Sequence, residues 1–309
     1  MIDTLRFFYE ATKEDREIIK NTFRTYKSEK EIFIYYKNPE PKGIRYAYIT
    51  KSNLLFIIVN PKEVLNKFKI INDDYSSVVE AIEISINKEL LNKIDFENLN
   101  LSRIDYKKDI VTDYIDIYID ILKKLDYKYR KKKRKTYETS VHYKGVSYNL
   151  NLYNKEQERR DKDELSELDK YLKTLRLEVQ IKRPYLKECI KKYGLTIELK
   201  NYFDDGMRLI LFEKLLMPLI YIGDYFTIEE NEKILKKKYT LNMANKLINF
   251  QKSIYSSDVS TVKKSYNRNT FRSYKKKLEE VGINPIVLGE SVEIKKLHNL
   301  IYYLKNEKV

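Results

Sequence analysis

Apolar and polar residues alternate in several short segments between the start of the chain and Lys182, and this period of two is typical of half-buried strands. The intervening segments at about residues 14–26, 62–68, 76–91 and 111–125 have helical periods. Together they predict an α+β fold, with a largely antiparallel central sheet and helices on one face. The predicted strands include TLRFFYE, EIFIYY, IRYAYIT, LLFIIVN, NLSRIDY, LNLYNKE and LRLEVQIK, with a further bend between two strands at Gly145.

After Pro184 the pattern becomes helical. YLKECIKKYG reads as a short helix that ends at Gly194, because glycine favours the left-handed conformation at a helix C-terminus. Thr227 and Glu230 have the T-x-x-E spacing of a capping box, which predicts the start of another helix. The sequence therefore predicts an α+β domain over residues 1–183 and a smaller α-helical domain over residues 184–309.

The alternation also places polar side chains together. Arg103 and Asp105 share one face of NLSRIDY, and Glu178 lies opposite the apolar face of LRLEVQIK, where we expect an open, polar sheet surface. In LNLYNKE, Asn151, Tyr153 and Lys155 share a face while the leucines point the other way. Three strands thus offer carboxylates, a phenol and an amine to what can be one surface.

These residue types suit phosphodiester chemistry. Carboxylates on neighbouring strands can hold Mg²⁺ or Mn²⁺, which neutralises the phosphate, and a lysine stabilises the charge that develops in the transition state. A tyrosine hydroxyl, with a pKa of about 10, needs such a field to act as a nucleophile at neutral pH. The alternative is that Tyr153 has no catalytic role, because the chain has 28 tyrosines and a given one is usually a packing residue. Carboxylates beside lysines are also usually solvated ion pairs.

Net charge favours a polyanionic partner. Lys and Arg number 61 against 46 Asp and Glu, a formal net charge of +15. The run KYRKKKRK has seven cations in eight residues and is not expected to form a core element. We expect phosphate contacts or a single-strand path there, and the alternative is a mobile solvated loop. The cations concerned are Arg130, Lys131, Lys132, Lys133, Arg134 and Lys135.

A second basic segment is NTFRSYKKKLEEVG, which predicts a helix with Asn269 as its N-cap and Gly282 at its end. Arg272, Lys275 and Lys276 lie off the apolar stripe of this helix. With the preceding segment STVKKSYNR it could form a helix-turn-helix that reads DNA. A plain basic helix explains the pattern equally well.

Some classes of site are excluded. Cys189 is the only cysteine, so neither an intrachain disulfide nor a cysteine-based zinc site is possible. The only histidines are His142 and His298, so a metal site would rest on carboxylates, and we expect His142 to be a strand residue. The chain starts without a signal-peptide pattern, and its most apolar segment, LILFEKLLMPLIYIG, is charged and short. We therefore expect a soluble cytoplasmic protein with no membrane partner.

Specific motifs then resemble a known class of proteins. LYNKEQERRD resembles the YNKxQER nucleophile strand of trans-acting Rep initiators from rolling-circle plasmids, NLSRIDY resembles their TRLD strand, and LRLEVQIKR resembles their WRVEIELKR strand. The chain is also similar to the gene II replication initiators of filamentous phages. That second resemblance is carried, in order, by MIDTL, NPKEVL, NLSRIDY, YETSV, LYNKEQE, LRLEVQIKRPYLKECIKKYGL and NTFRSYKKKLEEVGI.

The resemblance implies roles for individual residues. Tyr153 would be the nucleophile that nicks DNA, and Lys155 would stabilise the phosphate. Asp105 and Glu178 would bind Mg²⁺ or Mn²⁺, and Glu158 would be a third ligand or a base for water. Residues 1–183 would then form a Rep-nuclease-like domain, and residues 184–309 a DNA-binding or accessory domain.

The implied function is rolling-circle initiation for a phage or plasmid: one strand of a double-strand origin is nicked and later rejoined through a covalent 5′-phosphotyrosine. The implied partners are origin duplex, single-stranded DNA, a host helicase, a single-strand binding protein and a second protomer. Two alternatives stay open. One is a conjugative relaxase-like nickase with the same chemistry, and the other is a non-enzymatic regulator that binds an origin or operator.

Overall fold

The main sheet has eleven strands and is antiparallel in every pair whose register is described. The computed structural model describes residues 2–27, 33–39, 41–90, 94–162, 172–290 and 292–306. The predicted α+β fold with a largely antiparallel sheet is confirmed. In chain order the strands are β1 (Ile2–Glu10), β2 (Arg24–Lys27), β3 (Phe33–Lys37), β4 (Ile44–Ile49), β5 (Leu54–Val59), β6 (Asn100–Val111), β7 (Lys128–Tyr129), β8 (Lys132–Tyr137), β9 (Ser140–Lys144), β10 (Tyr148–Asn154) and β11 (Thr174–Lys182). Their order across the sheet is β2-β3-β4-β5-β1-β6-β11-β10-β9-β8-β7.

Residue contacts divide the chain into two compact units. Unit 1 consists of Met1–Lys107, Val146–Tyr148 and Val179–Ile210. Unit 2 consists of Lys108–Gly145, Asn149–Glu178 and Leu211–Val309. The division into functional domains at residues 183 and 184 stays a prediction.

Unit 1 is built around β1 and the strands on either side of it. Alternate residues of β5, such as Leu55 and Ile57, are fully buried, as the period of two predicts. Thr12 caps the first helix, since its hydroxyl accepts from the Asp15 amide at 3.1 Å while the Asp15 carboxylate accepts from the Thr12 amide. The helices that lie wholly in this unit are α1 (Lys13–Thr22), α2 (Pro61–Val64), α3 (Tyr75–Glu89) and α6 (Arg183–Tyr193); α7 (Asp205–Leu211) begins there.

Two predicted helices in this unit are wrong in length. The helix predicted over residues 14–26 ends at Thr22, because Arg24–Lys27 pairs with β3 as a strand. The helix predicted over residues 62–68 is the single turn Pro61–Val64. The sequence also predicts an acidic helix just before β11, and that segment falls largely on residues 163–171, outside the described residues.

Unit 2 contains strands β7 to β9, most of β10 and β11, and most of the C-terminal helices. The predicted cap at Thr227 is present, because its hydroxyl accepts from the Glu230 amide at 3.4 Å. A second, two-stranded sheet joins β12 (Tyr225–Phe226) and β13 (Lys296–Leu297). The helices are α4 (Ile115–Lys124), α5 (Lys155–Arg160), α8 (Ile228–Lys238), α9 (Leu241–Ser256), α10 (Val259–Ser265), α11 (Arg268–Glu280) and α12 (Leu300–Lys305).

Strand β11 is buried along nearly its whole length, including its polar positions. Arg176 is only 1% exposed, and its guanidinium donates to the Asp109 carboxylate at 2.6 and 2.8 Å. A two-pronged pair of this kind fixes both side chains and compensates the buried positive charge. Because Arg176 precedes Glu178 by two residues on the same face, this pair also steadies the strand that holds the candidate site.

We expect Asp109→Asn to destabilise the protein by about 2–3 kcal/mol, because it leaves a buried guanidinium facing an uncharged amide. The value is below that for a fully buried pair, since the Asp109 side chain is 25% exposed. Urea unfolding measures the change. Asp113→Asn is the matched control, because Asp113 pairs with Lys173 where both side chains are well exposed. Equal shifts of the urea midpoint for the two variants would contradict the assigned role of the buried pair.

Candidate functional site

Tyr153 lies at the end of β10, where the chain turns directly into a helix. Leu150 and Leu152 are fully buried on one face of the strand, and Tyr153 is half-buried on the other, as the alternation predicts. The Asn154 side chain accepts from the Gln157 amide at 3.0 Å and so caps α5. Lys155 is therefore the first residue of this helix and not a strand residue that shares a face with Tyr153, which corrects the prediction.

Lys155 nevertheless stays close to the phenol ring. Its Nζ lies 6.0 Å from the centroid of the Tyr153 ring, within the range of a cation–π contact. The same amine forms an ion pair with Glu158 one turn later, and Glu158 also pairs with Lys162. Burial alone would raise the pKa of Glu158, but the hydrogen bonds from the two lysines outweigh it and hold that pKa below its usual value. Tyr153, Lys155 and Glu158 are thus brought together.

Glu178 is the end of a chain of hydrogen bonds across three strands. Its carboxylate accepts from the Asn151 amide nitrogen at 2.7 Å, and the Asn151 amide oxygen lies 2.9 Å from Nδ1 of His142. Nε2 of His142 lies 3.0 Å from the Ser140 hydroxyl. The side-chain nitrogen of Asn151 donates to Glu178, so the Asn151 amide oxygen accepts a hydrogen bond from His142. The imidazole proton therefore lies on Nδ1, and Nε2 accepts from the Ser140 hydroxyl. These hydrogen bonds orient the Glu178 carboxylate toward the sheet face on which Tyr153 also lies.

His142 is a strand residue, as predicted, and the structure gives it a supporting role that the sequence did not suggest. Burial lowers the pKa of His142, the hydrogen bond with Asn151 opposes that effect, and the nearby Lys144 lowers the pKa further. The imidazole is therefore neutral at neutral pH, in agreement with the hydrogen-bond directions. Asn151 was placed on the Tyr153 face by the alternation, but its contact with Glu178 depends on strand order.

The prediction that Glu178 lies on an open surface is wrong. Glu178 is 7% exposed, and Asp105 in unit 1 is 1% exposed. The reason is that polar side chains lie against each carboxylate and donate hydrogen bonds to it: Asn151 to Glu178, and Arg103 and Gln180 to Asp105. Asp105 accepts a two-pronged interaction from Arg103, as their shared face predicts, and a further hydrogen bond from Gln180 at 3.3 Å. Burial raises the pKa of Asp105, and Arg103 opposes that rise.

The donor chemistry suits a hard divalent cation with few protein ligands. Within the described part of the chain, no three His, Cys, Asp or Glu side chains gather as a set of metal ligands. Mg²⁺ commonly keeps several waters and is held by one or two carboxylates together with substrate phosphates. The assignment of Asp105 and Glu178 as ligands of such an ion stays a prediction.

The basic run forms a hairpin at the edge of the sheet, so it is neither a core element nor an irregular loop. Its two strands, β7 and β8, pair around a turn at Arg130, which has a positive φ of 46°. Lys132 is buried, the Arg134 guanidinium donates to Asp258 at 2.8 Å, and Arg130 donates to the Lys214 carbonyl at 2.6 Å. Within this run, Lys131, Lys133 and Lys135 point toward solvent.

The second basic segment contains two consecutive helices. Helices α10 and α11 are joined through Tyr266 and Asn267. The N-cap is Asn267 and not Asn269, because the Asn267 side chain accepts from the Asn269 amide at 2.8 Å. Of the predicted cations, Arg272 and Lys276 are exposed, whereas Lys275 is half-buried with its Nζ 5.4 Å from the Tyr221 ring centroid.

Aromatic side chains hold the helical pair together. Tyr266, Phe271 and Tyr274 all pack edge-to-face against Phe250 of α9, with ring centroids 5.3 to 5.7 Å apart.

No helix in the described ranges combines the length and the apolar character needed to cross a membrane.

Comparison with known proteins supplies an independent observation. Residues 68–203 match a family model described as the N-terminal region of a phage replication-associated protein, the product of gene II in filamentous phages. A search of curated proteins finds no significant match to the chain. The matched segment is less than half of the chain, and it contains Asp105, Tyr153, Lys155, Glu158 and Glu178 but not α10 and α11. Over residues 68–203 the chain is therefore similar to the gene II replication proteins of filamentous phages, which confirms the resemblance predicted from its motifs.

Proposed function

We propose that this protein is a rolling-circle replication initiator that nicks one strand at a double-strand origin and later rejoins it. The observation that carries the proposal lies inside the segment that matches the gene II protein family: Tyr153 shares a sheet face with the oriented Glu178 carboxylate and has Lys155 beside its ring. A phenol, an acid and an amine so arranged suit attack on a phosphodiester.

Tyr153 would supply the nucleophile. Its phenolate oxygen attacks phosphorus, the bond from phosphorus to the 3′ oxygen breaks, and that oxygen takes up a proton. The products are a 5′-phosphotyrosine and a free 3′-hydroxyl that a polymerase can extend. In the reverse direction a 3′-hydroxyl attacks the phosphotyrosine and restores the strand. The positive charge of Lys155 favours the phenolate and the charged transition state.

The carboxylates would hold Mg²⁺ or Mn²⁺. We assign Asp105 and Glu178 as ligands, in line with the resemblance, and Glu158 as a third ligand or as a base that activates water. A bound divalent ion would neutralise phosphate charge. In this arrangement Asn151 fixes the Glu178 carboxylate, as side chains that hydrogen-bond to metal ligands commonly do.

Initiation of this kind needs partners. We propose origin duplex and single-stranded DNA as substrates, and a host helicase and single-strand binding protein as assistants. A second protomer or an activated water would complete termination. The reaction on replicating DNA implies a cytoplasmic location.

A nicking assay tests the proposal directly. Wild-type protein is incubated with supercoiled plasmids that contain candidate origins, with Mn²⁺, with Mg²⁺ or with EDTA. We expect open circles only with a divalent ion, together with protein that stays attached to the 5′ end of the cleaved strand in SDS. Binding to the same DNA without any nick would refute the proposal and favour a regulator.

The regulator is the second candidate because α10 and α11 form a helical pair with Arg272 and Lys276 exposed. Such a pair can place its second helix in the major groove whether or not the protein cuts DNA.

We expect Arg272→Ala combined with Lys276→Ala to weaken binding to origin duplex and to reduce the salt dependence of log K by about 1.8, since each phosphate contact contributes about 0.9. Cleavage of a single-stranded oligonucleotide should be unchanged. Fluorescence anisotropy over a range of salt concentrations measures the first effect. Lys51→Ala combined with Lys88→Ala removes the same charge from exposed positions in unit 1 and should change neither quantity. An unchanged salt slope in the first variant would show that α11 does not contact duplex phosphates.

A further inference from the structure

Strands β8, β9 and β10 present one continuous face that ends at Tyr153. In the register of the sheet, Tyr137 is opposite Ser140, and Ser140 is opposite Tyr153. One step along, Lys135 is opposite His142, which is opposite Asn151. Because directly paired residues of antiparallel strands point to the same side of a sheet, Lys135 and Tyr137 lie on the same face as Tyr153.

The cations of β8 are sorted between the two faces of the sheet. Lys132 and Arg134 point to the packed face, where Val141 and Tyr143 of β9 are also buried. Lys133 and Lys135 alternate with them and are exposed on the other face. Lys144, the partner of Lys133 in the register, is exposed there too. The outer face therefore has exposed lysines on the same side of the sheet as the proposed nucleophile. In the register, Lys135 lies one step along the strands from the row of Tyr153, and Lys133 and Lys144 lie two steps along.

An exposed aromatic ring accompanies these lysines. Tyr137 is 53% exposed, and its ring meets the His142 ring edge-to-face with centroids 5.5 Å apart. This contact holds the Tyr137 ring in place, since His142 is itself fixed by Asn151 and Ser140. A ring that is held by its neighbours and half open to solvent is suited to stack on a planar group.

We propose that this face binds single-stranded DNA as it enters the site: Lys133, Lys135 and Lys144 contact phosphates, and Tyr137 stacks on a base. The inference rests on the proposed function, because it assigns the path of the strand that Tyr153 cuts. Lysines interleaved with an aromatic ring are typical of single-strand binding, whereas the bases of a duplex are already stacked on each other. Tyr137 and Tyr153 are two strands apart, roughly 10 Å.

Edge lysines have another common role, which is to prevent pairing with the edge of a second sheet. That role predicts a change in oligomeric state when the lysines are removed, and no change in DNA affinity. Binding measurements therefore distinguish the two explanations.

The first experiment measures anisotropy of a fluorescein-labelled oligothymidylate in EDTA, so that binding is independent of cleavage. For Lys133→Ala combined with Lys135→Ala we expect weaker binding and a salt slope reduced by about 1.4, since each phosphate contact to a single strand contributes about 0.7. Lys237→Ala combined with Lys238→Ala, at exposed positions of α8, should behave as wild type. An unchanged slope in the β8 variant, or an equal loss in the α8 variant, would overturn the proposal.

The second experiment isolates stacking. Tyr137→Ala should weaken binding to the oligonucleotide about 5-fold or more with no change in the salt slope, and Tyr137→Phe should retain wild-type affinity because the ring is kept. Equal affinity of Tyr137→Ala and wild type would remove the stacking role. A larger loss of affinity for duplex than for single strand in Tyr137→Ala would show that the occupant of this face is duplex DNA.

The binding measurements and the nicking assay test the binding face and the proposed function separately. If wild-type protein never nicks but the β8 and Tyr137 variants lose single-strand affinity as described, the proposed function fails and the binding face holds. If nicking occurs and these variants bind as wild type, the binding face fails and the proposed function holds.

Discussion

Substitution of Tyr153 by Phe is expected to abolish nicking, with a loss of about 10⁴-fold or more, because loss of a residue at the centre of a nucleophilic mechanism removes most of the catalysis. The covalent adduct to the 5′ end should disappear at the same time. The change deletes one oxygen atom and keeps the ring that lies beside Lys155. Stability and DNA affinity should therefore stay as in wild type, which thermal unfolding and anisotropy measure.

Tyr26→Phe is the matched control, because it makes the same chemical change at an exposed position outside the proposed binding face. It should nick as wild type does. Wild-type nicking by Tyr153→Phe would show that another group attacks the phosphate. Nicking by wild type without an adduct would show that water is the nucleophile.

The alternation of apolar and polar residues predicted the strands around the site well. Leu150 and Leu152 are buried opposite Tyr153, because burial of one face of a strand fixes the direction of every side chain in it. Thr12 and Thr227 cap helices because a hydroxyl just before a helix satisfies amides that have no partner within the helix. The directions of the strand side chains and the positions of the helix caps depend on residues that are neighbours in the sequence, so they can be predicted from the sequence alone.

Errors arose where distant pairing overrode local preference. Residues Arg24–Lys27 belong to the end of a helical pattern in the sequence, but they form β2 because β3 offers hydrogen bonds to them. The basic run lacks the composition of a strand, but its strand β8 pairs with β9, and β7 and β8 lie at the edge of the sheet, where lysines can extend into water.

The sequence predicted which residue types the candidate site contains, but it did not predict how deeply the carboxylates are buried or which side chains hydrogen-bond to them. Asp105 and Glu178 are buried, and Arg103 and Asn151 donate hydrogen bonds to them. Arg103 and Asp105 lie two residues apart on β6, whereas the contact between Asn151 and Glu178 depends on strand order. The path from Glu178 through Asn151 to His142 joins three strands. No spacing along the chain encodes that path.

The second large effect is expected for Glu178→Gln, which should lower Mn²⁺-dependent nicking by about 100-fold or more. Loss of a side chain that only orients a metal ligand typically costs 10- to 100-fold, so loss of the ligand charge itself should cost at least as much. The glutamine has the shape of the glutamate, and its amide oxygen can still accept from the Asn151 nitrogen, which lies 2.7 Å from the Glu178 carboxylate. The thermal unfolding midpoint should therefore change little.

Mn²⁺ binding measured by electron paramagnetic resonance without DNA separates the metal role from a purely structural one. Glu178→Gln should weaken binding, while Glu138→Gln, which removes an exposed carboxylate next to β9, should not. If Glu178→Gln binds Mn²⁺ normally yet no longer nicks, the carboxylate acts on a proton or on DNA and not on the metal. If the variant both binds Mn²⁺ and nicks as wild type does, Glu178 has no part in the reaction, and its hydrogen bonds to Asn151 and onward to His142 only stabilise the sheet.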